Sequence, residues 1–314
     1  MPDPMRLRRS LLIAPASNWD LLKKLSTSPA DICTLELEDG VHPSMKSEAR
    51  QTAARALREL DWGSRERVVR INRLASEDGL ADVRAVVPAA PDALILPKVE
   101  SEFEVQEAGR LLAETESEAG VPKGTVRLWP MIETAKALGR VEAICDAGPR
   151  VAAVIFGAGD YAADIRVKRL GLGSNRRVPG PAHEYFYARG RVVAAARAAG
   201  IDPIDVGHST FRDLEGTKQT AEISAQMGFT GSVVFSPRQL PIINEVFSPS
   251  EDDLAWAREV LEKIDDAGAE DEPTAVVVVD GDMVDGPFVV NARNIVALQA
   301  AIEAVEAATL PGAR

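Results

Sequence analysis

Short runs rich in valine, isoleucine and leucine alternate along the chain with longer stretches whose apolar residues recur at helical spacing. The short runs are SLLIAP (10–15), DICTLELE (31–38), RVVRINR (67–73), ALILPKV (93–99), VRLWPMIE (126–133), VAAVIFGA (151–158), PIDVG (203–207) and GSVVFS (231–236). Each predicts a strand. Between them, stretches such as SEFEVQEAGRLLAETESEAG and PAHEYFYARGRVVAAARAAG carry a helical pattern and end in glycine, the residue that closes helices most readily. Eight strand–helix units over about 240 residues predict a (β/α)8 TIM barrel, for which roughly 250 residues is typical. A doubly wound open sheet is the alternative. It would usually need a glycine-rich first turn, and here that turn reads APASNW.

Beyond the eighth unit the pattern changes. FSPSEDDLAWAREVLEKIDDAG predicts a further helix, with Ser250 and Asp253 as a capping box. An acidic AEDEP, an apolar TAVVVV, a turn-rich DGDMVDG and a final amphipathic helix follow. No part of this tail is needed to close a barrel. The chain therefore divides into a barrel over 1–247 and a helix–hairpin–helix extension over 248–314. The extension's apolar run and last helix would leave a sizeable exposed patch on a monomer, the mark of an interface with a neighbouring subunit.

Composition narrows the classes. At 314 residues the chain can bury a full core, and 46% hydrophobic with 27% charged residues is ordinary for a globular protein. No apolar run approaches the roughly 20 residues needed to span a bilayer. The N-terminal RLRRSLLIAP is too short in its apolar part for a signal sequence, so a cytoplasmic protein without a membrane partner is expected. Cys33 and Cys145 sit inside apolar segments and read as buried free thiols. A net charge of −12 argues against nucleic acid, because phosphate binding needs a basic surface. An anionic ligand would have to find a local cluster of Arg and Lys.

In barrels of this kind the chemistry lies at the C-terminal ends of the strands. Those ends carry Glu36, Glu38, Asp39, Arg70, Asn72, Lys98, Glu100, Glu133, Asp160, His208 and Ser236. An apolar barrel needs none of these charges for stability. Carboxylates converging with Arg and Lys suit a hard cation together with an anionic substrate. Glu133 and Asp160, from adjacent strands, can reach one ion. Mg²⁺ takes one or two protein carboxylates and completes its octahedron with water and substrate oxygens. The other reading of these two acids is that each caps the following helix or pairs with an arginine. The few histidines and the absence of cysteine ligands argue against zinc. His42, His183 and Trp129 read as packing or surface residues. So does His208, although its place after the seventh strand keeps it in view.

Read in order, RRSLLIAP, LELEDGV, VVRIN, LPKVES, MIET, FGAGDYAAD, FRDLEG, FSPSEDDLAWAR and VVVDGDMVDGPFV resemble one family over almost the whole chain. It is the citrate lyase β-subunit-like (CitE-like) group of the HpcH/HpaI aldolase superfamily, which includes malyl-CoA, citramalyl-CoA and citryl-CoA lyases. The resemblance implies a Mg²⁺-dependent barrel that cleaves a 3-hydroxyacyl-CoA to an acyl-CoA and a 2-oxo acid, or runs the reverse condensation. By motif, Glu133 and Asp160 match the family's magnesium ligands. Arg70 matches the arginine facing the oxo-acid oxygen, and Asp285 an acid that a neighbouring subunit contributes. Glu38 matches a further acid of the same pocket. Arg9 and Lys98 are assigned to the substrate and its CoA. Arg176 and Arg177 join them if the basic run RVKRLGLGSNRRVPG is a flap over the mouth instead of a solvated loop. Homotrimers, or dimers of trimers, are usual in the family.

Three places depart from its pattern: Ala14-Pro15-Ala16 after the first strand, Phe235-Ser236-Pro237-Arg238-Gln239 after the eighth, and Asp282 in the tail. They leave the acyl partner and the CoA contacts open. A CoA-independent class II pyruvate aldolase, a malyl-CoA-type thioesterase and a catalytically silent acyl-CoA-binding barrel are the competing functions.

Overall fold

The computed structural model describes residues 6–168, 182–266, 276–279 and 281–309. Two compact units separate at Phe247, one running from Arg8 to Phe247 and the other built mainly from Ser248 onward. In the first, eight parallel strands close into a barrel: β1 (Ser10–Pro15), β2 (Ile32–Glu36), β3 (Glu66–Arg70), β4 (Ala93–Leu96), β5 (Arg127–Ile132), β6 (Ala153–Phe156), β7 (Asp202–Asp205) and β8 (Gly231–Val234). Pairing of β1 with β8, with Leu11 opposite Val233, closes the ring and excludes the open sheet.

Most paired strands end before the apolar runs that predict them. DICTLELE pairs only through Glu36, and VAAVIFGA only through Phe156. The residues left over run on past the paired strands, with Leu37 N and Gly157 N still donating to Arg70 O and Ile132 O at 2.9 Å. They form the rim on which Glu38, Lys98 and Glu133 sit.

The helices begin where short polar side chains can take up their free N–H groups. Asn18, Ser76, Ser101, Thr134 and Asp213 each accept from the backbone three residues on. The long helix Glu102–Ala119 ends on Gly120 at φ 70, as its terminal glycine predicts. Helix Lys46–Glu59 turns Ala49, Ala53, Ala56 and Leu57 inward, and these join the core between strands and helices. A separate apolar layer fills the barrel, with Leu11, Ile32, Val68, Ile95, Trp129 and Ile155 among its members. Its floor is closed by Arg8, whose guanidinium lies 4.9 Å from the Trp129 ring centre and pairs with Glu66 at 2.8 Å. Trp129 is thus packing, as read from the sequence.

The second unit has its own small core. Helix Glu251–Asp266 starts on the capping box expected of it: Ser250 N–H donates to Asp253 Oδ2 and Asp253 N–H to Ser250 Oγ, both at 3.0 Å. Strands β9 (Val277–Val279) and β10 (Asp282–Val284) pair antiparallel, and helix Gly286–Thr309 follows. Val260, Ile264, Val279, Val284 and Val289 pack together. The final helix corrects one expectation. Its stretch Gly286–Ala308, 23 residues, is long and apolar enough to cross a bilayer by length and composition alone. Asn291, Arg293 and Asn294 interrupt the apolar positions, so no continuous run betrays it in the sequence. Its apolar residues also surround the helix instead of forming one stripe.

Candidate active site

Strand register sets Glu36 on β2 opposite Arg70 on β3. Arg70 Nε donates to Glu36 Oε2, and its Nη1 lies 3.5 Å from Glu38 Oε2. The other Glu38 oxygen receives Lys98 Nζ at 2.7 Å, with Asp39 at 3.4 Å from the same nitrogen. Lys98 stands in the left-handed region, φ 54, which residues with a Cβ rarely adopt. That conformation aims its backbone N–H at Glu133 Oε1 while its side chain reaches Glu38. Strained backbone of this sort collects at functional sites.

Glu133 follows β5 and is buried, and Asp160 lies in the first turn of helix Ala158–Asp164 after β6. Gly157 makes room for the pair: a Cβ there would stand 2.6 Å from Glu133 Cβ and 2.7 Å from its Oε2. The capping alternative fails for Glu133, because Thr134 is the residue whose side chain caps the next helix.

Burial pushes the Glu133 carboxyl up to about 8, helped by the charges of Asp160 and Glu38 and opposed by the Lys98 N–H. Burial also raises Glu36, against the pull of Arg70. For Lys98 burial works in the other direction, but the bond to Glu38 and the charges of Asp39 and Asp160 raise it overall. Arg70 likewise stays charged between Glu36 and Glu38 despite burial.

Among the described residues, the carboxylates of Glu36, Glu38, Asp39, Glu133 and Asp160 therefore meet the basic side chains of Arg70 and Lys98 at this mouth. A divalent cation between Glu133 and Asp160 would take the place of the proton that burial forces on Glu133. Among the described residues no group of three or more His, Cys, Asp or Glu is arranged to hold a metal. Two oxygen ligands with the remaining positions left to water and substrate is the donor set that Mg²⁺ favours. The residues fit that ion.

A pH dependence follows from Glu133. Its carboxyl is raised in the folded state from 4.5 to about 8, so the fold favours the protonated form. The resulting stability is complete below 4.5 and lost as pH rises through about 8. Melting of the metal-free protein should fall across that window, and Mg²⁺ affinity should rise across it because a proton must leave. Calorimetry at several pH values checks both, and a Mg²⁺ affinity flat with pH would count against Glu133 as a ligand.

Below the rim a cavity of about 260 Å³ opens into the barrel, lined by Glu36 and Arg70 above and by Ile13, Ile95, Met131, Ile155 and Val233 below.

Other expected site residues lie elsewhere. Arg9 is a correction: it precedes β1, at the N-terminal end of the strands and opposite the mouth. Its backbone N–H and Nε both reach Asp31 Oδ2 at 2.9 Å, and its carbonyl accepts from Ser232 N at 2.9 Å. It ties β1 to its neighbours and is not placed to meet a substrate at the mouth. His208 is buried, with Nδ1 3.0 Å from Thr220 Oγ1 and Nε2 3.3 Å from Asp213 Oδ2 but out of line for a hydrogen bond. Burial lowers its pKa against the pull of Asp213. Arg176 and Arg177 fall outside the described residues. Asp285 belongs to the second unit, where its carbonyl accepts from Phe288 and Val289 N at 3.0 and 3.1 Å. Its Oδ1 is buried without a hydrogen-bond partner in the single chain.

Gln239 was missed. Buried after β8, it donates to the His208 carbonyl at 3.0 Å and accepts from Phe235 N and Ser236 N at 3.1 Å, fixing the eighth loop against the seventh. The only signal for it was the Ser236-x-x-Gln239 spacing of a capping box, which does form.

Comparison with known proteins bears on this geometry. The HpcH/HpaI aldolase/citrate lyase family matches residues 9–237. The citrate lyase subunit beta of Leuconostoc mesenteroides subsp. cremoris is 33% identical over 93% of this chain and 93% of its own. An L-malyl-CoA/beta-methylmalyl-CoA lyase of Cereibacter sphaeroides is 34% identical over 94% of this chain and 95% of its own. Among solved structures, the protein CitE from Mycobacterium tuberculosis in complex with magnesium, acetoacetate and coenzyme A superposes with a TM-score of 0.73. It is 28% identical, over 93% of this chain and 97% of that one.

Proposed function

The chain belongs to the HpcH/HpaI aldolase/citrate lyase family, and on that premise we propose a Mg²⁺-dependent carbon–carbon lyase acting on CoA thioesters. Its substrate is a 3-hydroxyacyl-CoA of the malyl-, citramalyl- or citryl-CoA type, cleaved to an acyl-CoA and a 2-oxo acid or formed from them. The observation that carries this reading is the buried Glu133 beside Asp160 at a barrel mouth where Arg70 is fixed by two carboxylates.

In the cleavage direction the 3-hydroxyl loses its proton and the C2–C3 bond breaks. The electron pair passes into the thioester as an enolate, which is then protonated at C2. Mg²⁺ held by Glu133 and Asp160 would supply Lewis acidity to the carboxylate and oxo oxygens of the departing acid. Arg70, braced by Glu36, presents its remaining N–H groups to the oxygen where negative charge resides, with no proton to lose. Lys98 keeps Glu38 and Glu133 in register through its side chain and its backbone. Asp285 moves the proton as general acid or base.

We assign that last role to the Asp285 of a neighbouring subunit in a homotrimer, or a dimer of trimers. In its support, the Asp285 carboxyl keeps a buried, unpartnered oxygen, and only 17% of the apolar stretch of the final helix is buried within one chain. Mixing inactive Asp285→Ala with inactive Glu133→Ala, after dissociation and reassociation, should restore part of the activity. Hybrids that form and stay inactive would end the shared-site idea. The free buried thiols of Cys33 and Cys145 support a reducing, cytoplasmic location.

The deciding experiment incubates the protein with Mg²⁺ and a panel of 3-hydroxyacyl-CoA esters and identifies products by mass spectrometry. An acyl-CoA with a 2-oxo acid is expected. Free CoA with an intact hydroxy acid would mark a thioesterase, and cleavage of free hydroxy acids would mark a CoA-independent aldolase.

A further inference from the structure

We infer that the cavity beneath Arg70 receives an alkyl substituent on the 2-oxo acid, so that the preferred acids carry an apolar side chain instead of a second carboxylate. The inference rests on the lyase reading above and names the substrate class of the same site.

The first ground is the chemistry of the walls. Among the described residues, Glu36 and Arg70 are the only charged ones bordering the cavity, and they are paired with each other. Below them Ile13, Ile95, Met131, Ile155 and Val233 present only hydrocarbon and one thioether. Lys98, the nearby rim cation, is already taken by Glu38 and Asp39. A dicarboxylic oxo acid would press its second carboxylate against these apolar side chains, with no free counter-charge among the described residues that line the cavity. Burying an unpaired charge in such surroundings is heavily unfavourable.

The second ground is the direction in which a substrate must lie. The CoA portion is far too large for a space of about 260 Å³ and stays outside the mouth. The end that penetrates is the one farthest from the thioester, the oxo-acid fragment. Glu133 and Asp160 would hold the cation that takes its carboxylate and oxo oxygens, with Arg70 beside them at the rim. The only part left to fill apolar space is the substituent on the oxo carbon. The cavity is many times the roughly 30 Å³ share of one water molecule in the liquid, so an ethyl or propyl group has room. Phe235 closes one side, its backbone held by Gln239.

Titration calorimetry of the Mg²⁺-loaded protein with pyruvate, 2-oxobutyrate, 2-oxovalerate and oxaloacetate tests this without relying on turnover. Affinity should rise about fourfold for each added methylene, the equivalent of about 0.8 kcal/mol, and 2-oxobutyrate should bind more tightly than oxaloacetate. Val233→Phe, which fills the cavity from β8, should erase the gain with chain length while pyruvate still binds. If that variant does not fold, Phe235→Ala serves instead: removing the wall should flatten the same series. A series already flat in the natural protein, or oxaloacetate bound more tightly than 2-oxobutyrate, overturns the inference and leaves the lyase function standing. Failure of every oxo acid to bind while Mg²⁺ still does overturns the lyase reading, and this inference with it.

Discussion

Glu133→Gln and Asp160→Asn each lose Mg²⁺-dependent turnover to background while the barrel stays folded. Glutamine keeps the shape of the glutamate and an oxygen to accept the Lys98 N–H, which the alanine variant would leave unsatisfied at about 1–3 kcal/mol. What glutamine removes is the charge. Because burial disfavours the ionised form of Glu133, the neutral variant should melt no lower than the metal-free natural protein, and higher above pH 8. A loss of function joined to undiminished stability separates a metal ligand from a structural carboxylate. Calorimetry supplies the second readout: Mg²⁺ affinity should vanish in both variants. Unchanged affinity in either removes that residue from the ion's site.

Arg70→Lys should cost about 10²-fold or more in turnover, the scale of losing one donor to a developing oxyanion. Glu36 and Glu38 hold the guanidinium in one plane, so the N–H groups they do not use point in a fixed direction. A lysine ammonium would pair with Glu36 as a point charge and leave the substrate oxygen without a second aligned donor. Mg²⁺ binding should be almost unaffected, because Arg70 is not among the proposed ligands. Turnover within a few-fold of normal would reduce Arg70 to an ion-pair partner of Glu36.

The barrel was legible because its signal is local and repeated. Runs such as ALILPKV and GSVVFS declare strands by β-branched content, and Ser101 and Gly120 mark both ends of the helix between β4 and β5. The Ser250–Asp253 box was legible for the same reason, since both partners lie within one turn. The final helix was read less well: the sequence predicts an amphipathic helix, whereas its apolar residues are spread around the helix between polar ones such as Asn291 and Asn294.

The candidate site divides along the same line. Its residue types and their places at strand ends are properties of the sequence, and the family motifs add Arg70, Glu133, Asp160 and Asp285 as a set. Which of them touch is not. Glu36 was visible only as one acid among several until the β2–β3 register set it against Arg70. Lys98 had no reason in its spacing to adopt a left-handed backbone, and Gly157 none to vacate the volume that Glu133 fills. Arg9 was assigned to the substrate although it precedes the first strand, and its bonds to Asp31 hold it at that N-terminal end, away from the mouth. Periodicity and capping act over a few residues and can be read along the chain. Contacts such as Lys98 with Glu38, 60 positions apart, exist only because eight strands close into a ring.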